Sequence, residues 1–174
     1  GNLSAAERAE LMEKTLAAIR GQVPVLVWIT QDTEQKTRET LGLLSKTLKT
    51  RKYKGQVCWL DTPLYYHSNR GLVSYYRNLT TLTRQSWLLH NDPGLIDQLA
   101  RSFKRNNIRT AILKEILGIE EIIGLLYSGS LDRAGNYQKA TRARPDFRIY
   151  DGDELRFLTH PSLSGVISAG ANLS

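Results

Sequence analysis

Six short apolar runs, separated by segments with helical periodicity, constrain this chain more than any other feature of its sequence. They span Val23 to Ile29, Val57 to Leu60, Trp87 to His90, Glu121 to Leu126, Phe147 to Tyr150 and Gly165 to Ser168. Where the runs are clearest they are near-continuous rather than alternating, as expected of strands buried on both faces of a parallel sheet. Helices are predicted between them. Leu3 to Arg20 opens with Ser4 and Glu7 in the spacing of a capping box and stops at Gly21. Thr33 or Asp32 caps a second helix that runs through Leu48, and Asn69 to Thr81 carries Leu72, Tyr75, Tyr76 and Leu79 on one face. Further helices are expected over Ile96 to Lys104, Thr110 to Leu117, Leu131 to Ala143 and Glu154 to Thr159.

This alternation reads as α/β with a parallel sheet in one domain, 1–174. At about 29 residues per unit, the six βα units suit an eightfold (β/α) barrel, and a doubly wound sheet is the other arrangement open to them. No GxGxxG or GxxxxGK[ST] follows any strand, so a nucleotide-binding version has no motif to support it. The single cysteine, Cys58, cannot form an internal disulfide and has no CxxC or Cys/His spacing around it, which points to a reducing cytosol and to no structural zinc. His67 and His160 have no carboxylate or cysteine at ligand spacing, so no metal or other cofactor is expected. No run approaches the roughly 18 apolar residues of a membrane span.

The net charge of +7 raises the question of a nucleic-acid partner. Its basic residues cluster at Lys46 to Lys54, Arg101 to Arg109 and Arg142 to Arg148, each at a predicted helix end, where cations favour the dipole. Solvated helix termini are therefore the expectation, without nucleic acid.

The residues in order resemble a known family. Leu3-Ser4 with Glu7-Arg8, Val23-Pro24-Val25, Thr62-Pro63 with Tyr65 and Tyr66, Leu88 to Pro93, Ile123-Gly124-Leu125 with Ser128-Gly129, Asp151-Gly152-Asp153 and Gly165 to Ser168 fall in sequence on motifs of the dihydrodipicolinate synthase and N-acetylneuraminate lyase family. These are Schiff-base aldolases built as (β/α)8 barrels. The resemblance implies a TIM-barrel type fold, of which this chain would supply six units, with the first two strands and the closing helices lying outside Gly1 to Ser174. Six strands leave two open edges. A longer chain, association between copies or an open sheet would each accommodate them.

The resemblance also implies a site, with departures. In the family the sixth strand ends in the lysine that forms the Schiff base; here Gly124-Leu125 is followed by Leu126, and no lysine occurs between Lys114 and Lys139. A leucine has no amine, so the covalent step is expected to be lost. His90 stands at the family's proton-relaying tyrosine and could serve as acid or base, or could simply cap a strand end. Tyr65 or Tyr66 would supply an aromatic hydroxyl, although tyrosines before a helix are also common packing residues. Arg109 with Thr110 resembles the pair that holds a substrate carboxylate, a task suited to a guanidinium. The retained segments around Asn91 and Ser168 place both among the ligand contacts. Two functions follow: a dihydrodipicolinate synthase-like lyase acting on or binding a small keto acid or related carboxylate, or a non-catalytic barrel that binds a metabolite or partner subunit. A cytoplasmic homo-oligomer is the expected setting.

Overall fold

The computed structural model describes residues 3–99, 105–161 and 164–167. Local signals decide where its elements begin. In α1 (Ala5–Ile19) the capping box closes: Glu7 N–H donates to Ser4 Oγ at 3.3 Å, and Ser4 N–H donates to Glu7 Oε2 at 2.8 Å. Arg20 then takes the left-handed conformation at φ 52°, and Gly21 follows at φ 80°, which turns the chain toward β1 (Val25–Trp28). Thr33 caps α2 (Glu34–Arg51) through Lys36 N–H. There follow β2 (Val57–Asp61), a 3-10 turn over Pro63–Tyr65, α3 (Leu72–Thr80), β3 (Ser86–Asn91) and α4 (Pro93–Asp97). The second half holds α5 (Thr110–Ile116), β4 (Ile122–Tyr127), α6 (Leu131–Thr141), β5 (Arg148–Asp151) and α7 (Glu154–Thr159).

Two expectations are corrected. The helix expected over Ile96 to Lys104 starts earlier, because Asp92 Oδ1 accepts from Leu95 N–H at 3.0 Å and Pro93 fills the first helical position, where its missing N–H costs nothing; residues 100–104 lie outside the described residues. The sixth strand is reduced, among the described residues, to a single parallel bridge between Asp151 and Val166. The chain does run beside β5, with Asp151 N–H donating to Gly165 O and Ile167 N–H to Asp151 O, but Gly165 at φ 152° interrupts the extended run.

The five strands lie in the order β1-β2-β3-β4-β5, every pair parallel. Neighbours in sequence are neighbours in space throughout, with no switch point, so the doubly wound alternative is ruled out and the sheet is part of a barrel wall. Its two faces differ. The outer face, bearing Trp59, Trp87, Leu89, Leu125 and Ile149, packs with Leu41, Leu44, Leu72, Tyr76 and Leu79 of the helices into the main core. The face turned to the barrel interior carries a small cluster of Leu60, Leu88 and Leu126, flanked by Cys58, Tyr150 and Ile167. Burial pushes the Cys58 thiol up to about 12, so it stays protonated and apolar in behaviour.

A bulge keeps β4 in phase with this division. Trp87 pairs with Ile122 but Leu88 pairs with Gly124, so Ile123 is the extra residue. Without that slip, Leu125 and Leu126 would exchange faces. Glycine is required beside it, since a Cβ at Gly124 would run into the Arg148 carbonyl and approach Leu88 Cδ1 at 2.9 Å.

Two arginines tie the periphery down. Arg144 Nη1 donates to the carbonyls of Leu117, Ile119 and Ile122, and Nη2 to that of Glu120, which closes the loop before β4. Arg156 of α7 pairs with the buried Asp151, donating from Nε to Oδ2 at 2.8 Å, and also donates to Tyr127 O at 3.0 Å. The third basic cluster is therefore partly structural rather than wholly solvated. Among the described residues, no helix is long and apolar enough to cross a membrane.

Candidate functional site

In a parallel sheet all carboxyl ends point the same way, and residues held there from different strands converge on one surface. His90 closes β3 on the inner face, in register with Leu126 of β4, which is in turn in register with Tyr150 of β5. Its Nδ1 lies 3.0 Å from Thr62 Oγ1, just beyond β2, and its ring stands edge-on to Trp28 of β1, with centroids 5.5 Å apart at 88°. Only 7% of His90 is exposed. Burial holds its pKa below the ordinary histidine value, and the charge of Asp92 opposes that only in part. The imidazole is therefore neutral near pH 7, one nitrogen a donor and the other an acceptor.

Behind His90 lies a network with no recognised motif in the sequence. Thr30 Oγ1 accepts from Trp28 Nε1–H at 2.9 Å and from Thr62 N–H at 2.7 Å, and donates to Asp61 Oδ1 at 2.7 Å. Asp61 Oδ2 accepts from Tyr66 and Tyr76, both at 2.6 Å. Asp61 is fully buried, with no ion-pair partner among the described residues; burial raises its pKa, and the hydroxyls that donate to it offset part of that rise. The signals available were slight: Trp28 and Thr30 are two apart, as same-face residues in a strand are, and Asp61 puts a charge at the end of an apolar run.

The residues expected at the site fall into separate groups. Leu126, where the resemblance implies the family's lysine, stands on the inner face, packed against Leu60 and Leu88. Tyr65 lines a groove of about 470 Å³ along β1, with Leu11, Leu26, Trp28, Thr30 and Leu95. Tyr66 is drawn outward into the Asp61 network, where burial first and the Asp61 charge second push its phenol well above the ordinary value. Asn91 is committed to the backbone: its Oδ1 accepts from Ile108 N–H at 2.7 Å and Tyr137 Oη–H at 3.0 Å, and its Nδ2 donates to Asn106 O at 3.0 Å. Asn69 grips the same segment, donating to Asn107 O and accepting from Arg109 N–H. The segment these asparagines hold presents Arg109 and Thr110 to a depression of about 460 Å³ shared with Arg105 and Arg133. None of these three guanidiniums has a carboxylate partner among the described residues. His90 does not line it; the groove along β1 reaches His90 through Trp28. Ser168 lies outside the described residues.

His67, set aside as a ligand, lies 3.4 Å from Glu34 and against the Tyr75 ring, and no group of three potential metal ligands occurs among the described residues.

Comparison with known proteins places this geometry in a family. The sequence model of the Dihydrodipicolinate synthetase family matches residues 1–174. The 4-hydroxy-tetrahydrodipicolinate synthase of Thermotoga neapolitana is 27% identical over 173 residues, which is 97% of this chain and 54% of that protein. The enzyme of the same name from Methanospirillum hungatei is 29% identical over 177 residues, 98% of this chain and 55% of that protein. Among solved structures, a prophage protein of the dihydrodipicolinic acid synthase family from E. coli K12, in complex with pyruvate, superposes with a TM-score of 0.77 at 22% identity, covering 98% of this chain and 54% of that one. Dihydrodipicolinate synthase from Bacteroides thetaiotaomicron does so with a TM-score of 0.74 at 19% identity, covering 98% and 54%. The chain spans about half the length of the curated relatives it matches, and its five parallel strands are the corresponding part of their barrel. With the family model matched over its whole length, this chain belongs to the dihydrodipicolinate synthetase family.

Proposed function

We propose that this chain is a dihydrodipicolinate synthase-like protein whose inner face binds a small keto acid or related carboxylate without forming a Schiff base. The observation that carries the reading is Leu126: an apolar, packed side chain on the inner face of β4, in register with His90, where the family's chemistry needs an amine. Around it the polar equipment is that of a binding site able to move a proton. His90 is neutral, pinned at Nδ1 by Thr62, and could accept a proton from a bound acid or donate to its carbonyl. Arg105, Arg109 and Arg133, which have no carboxylate partner among the described residues, share a separate depression that His90 does not line, so the reading rests on the inner face without them. The family relationship supports the same ligand class, since one structural relative was solved with pyruvate.

Titration with pyruvate, followed by NMR of the His90 ring, tests the reading. Saturable shifts at His90 are expected; a spectrum unchanged up to high millimolar pyruvate contradicts it. Association between copies is the expected assembly, and sedimentation equilibrium giving only the 19.7 kDa monomer would refute that part.

A further inference from the structure

We infer that Thr30 is a positioning residue for His90, holding both groups that touch the imidazole through one hydroxyl. The counting is strict. A threonine hydroxyl has one proton to give and two lone pairs to receive. Both lone pairs of Thr30 are taken, by Trp28 Nε1–H at 2.9 Å and Thr62 N–H at 2.7 Å, so its proton goes to Asp61 Oδ1 at 2.7 Å. Asp61 can serve only as acceptor at that oxygen. Its other oxygen faces Tyr66, whose hydroxyl lies 3.2 Å from that of Tyr75, so a proton bound at Oδ2 has an outlet through the two tyrosines and leaves Thr30 as it is. The polarity of the Thr30 hydroxyl is thus the same whether Asp61 is charged or neutral.

The consequence falls on His90. Trp28 is 46% exposed at the open side of β1, and an exposed indole packed on one side only would ordinarily sample several rotamers. The bond to Thr30 fixes its ring edge-on to His90. The same hydroxyl anchors the backbone of Thr62, whose Oγ1 meets His90 Nδ1. Among the described residues, Leu126 stands in register with His90 from β4, and Asp92, opening α4, is the charge that acts on it. Thr30 therefore orients the imidazole and keeps water from it without touching it.

The inference gives a mechanical role to the residue that the proposed function places at the ligand, and rests on that reading only for its biological meaning. Its test needs no ligand. The His90 ring is followed by NMR across pH in the wild type and in Thr30→Val, Thr30→Ser and Trp28→Phe. In Thr30→Val, which keeps the shape and loses the hydroxyl, the His90 titration is expected to move up toward the ordinary value, with loss of the ring-current shift from Trp28. Thr30→Ser is expected to restore both. Trp28→Phe, which keeps a ring and removes the N–H, is expected to move the titration in the same direction by less, and it remains informative if Thr30→Val does not fold. A folded Thr30→Val or Trp28→Phe whose His90 titrates as in the wild type overturns the inference, as does a Thr30→Ser that behaves like Thr30→Val. Pyruvate binding that fails while these shifts appear refutes the proposed function and leaves the positioning role intact.

Discussion

The two faces of the sheet solve different problems. On the outer face the large side chains pack with the helices into the main core, and the carboxylates and the amide admitted there are engaged: Asp61 by three hydroxyls, Asn91 by two backbone groups and Tyr137, Asp151 by Arg156. On the inner face three leucines form a small cluster, Leu26 and Trp28 are left 37% and 46% exposed, and His90 sits at the rim with a depressed pKa. A buried polar group without partners costs about 1–3 kcal/mol, a cost these networks avoid and that Trp87 Nε1–H, without a partner among the described residues, does not. The inner face carries the smaller cluster, and His90 and Leu126 stand there in register.

The largest test of this contrast is Trp87→Ala. Trp87 is fully buried under the helices, and its loss is expected to cost about 3–5 kcal/mol in denaturant melts, enough to leave a domain of ordinary stability marginal. Asn91→Ala should cost about 2–3 kcal/mol, because Ile108 N–H loses its acceptor and the Asn106 carbonyl its donor, while the Tyr137 hydroxyl keeps Ile108 O at 2.6 Å, and amide exchange over residues 106–109 should accelerate with it. Leu126→Ala, on the inner face, is expected at the low end of the leucine range, about 2 kcal/mol, since its cluster is small and lies next to open volume. If Leu126→Ala proves costlier than Trp87→Ala, the division between a structural and a working face fails.

The smallest effect is one of pH. The folded-state pKa of His90 is depressed, so the unfolded chain binds protons first as pH falls. The stability His90 contributes is present above about pH 6.5, its ordinary value, and is lost as pH falls through its lower folded-state value. His90→Gln should flatten the stability profile in that acidic window and leave it unchanged above neutrality. An unchanged slope would place the acid sensitivity elsewhere.

How far this was legible in the sequence follows from the range of each signal. The capping box of Ser4 and Glu7, the Thr33 cap and the α3 face of Leu72, Tyr75, Tyr76 and Leu79 lie within a turn or two of themselves, and all were legible. Strand order was not legible from the alternation of elements alone, which a barrel and a doubly wound sheet share, and came only with the family resemblance, which implied the barrel that the sheet shows. The Ile123 bulge, the Arg144 grip on four carbonyls and the pairing of Tyr66 with Asp61 were invisible for the same reason: each depends on a partner brought by the fold. At the site, the family resemblance singles out His90 and Leu126, and both stand on the inner face, in register with each other. Thr30 was not, since its role exists only where Trp28, Thr62 and Asp61 converge.

The most direct test of the central claim is intact-mass analysis of the protein incubated with pyruvate and borohydride, followed by peptide mapping. An inner face with Leu126 in the family's lysine position predicts no reduced pyruvyl adduct under conditions where pyruvate saturates the His90 shifts. A stable adduct would contradict the account, and the peptide carrying it would identify the amine that performs the covalent step in its place.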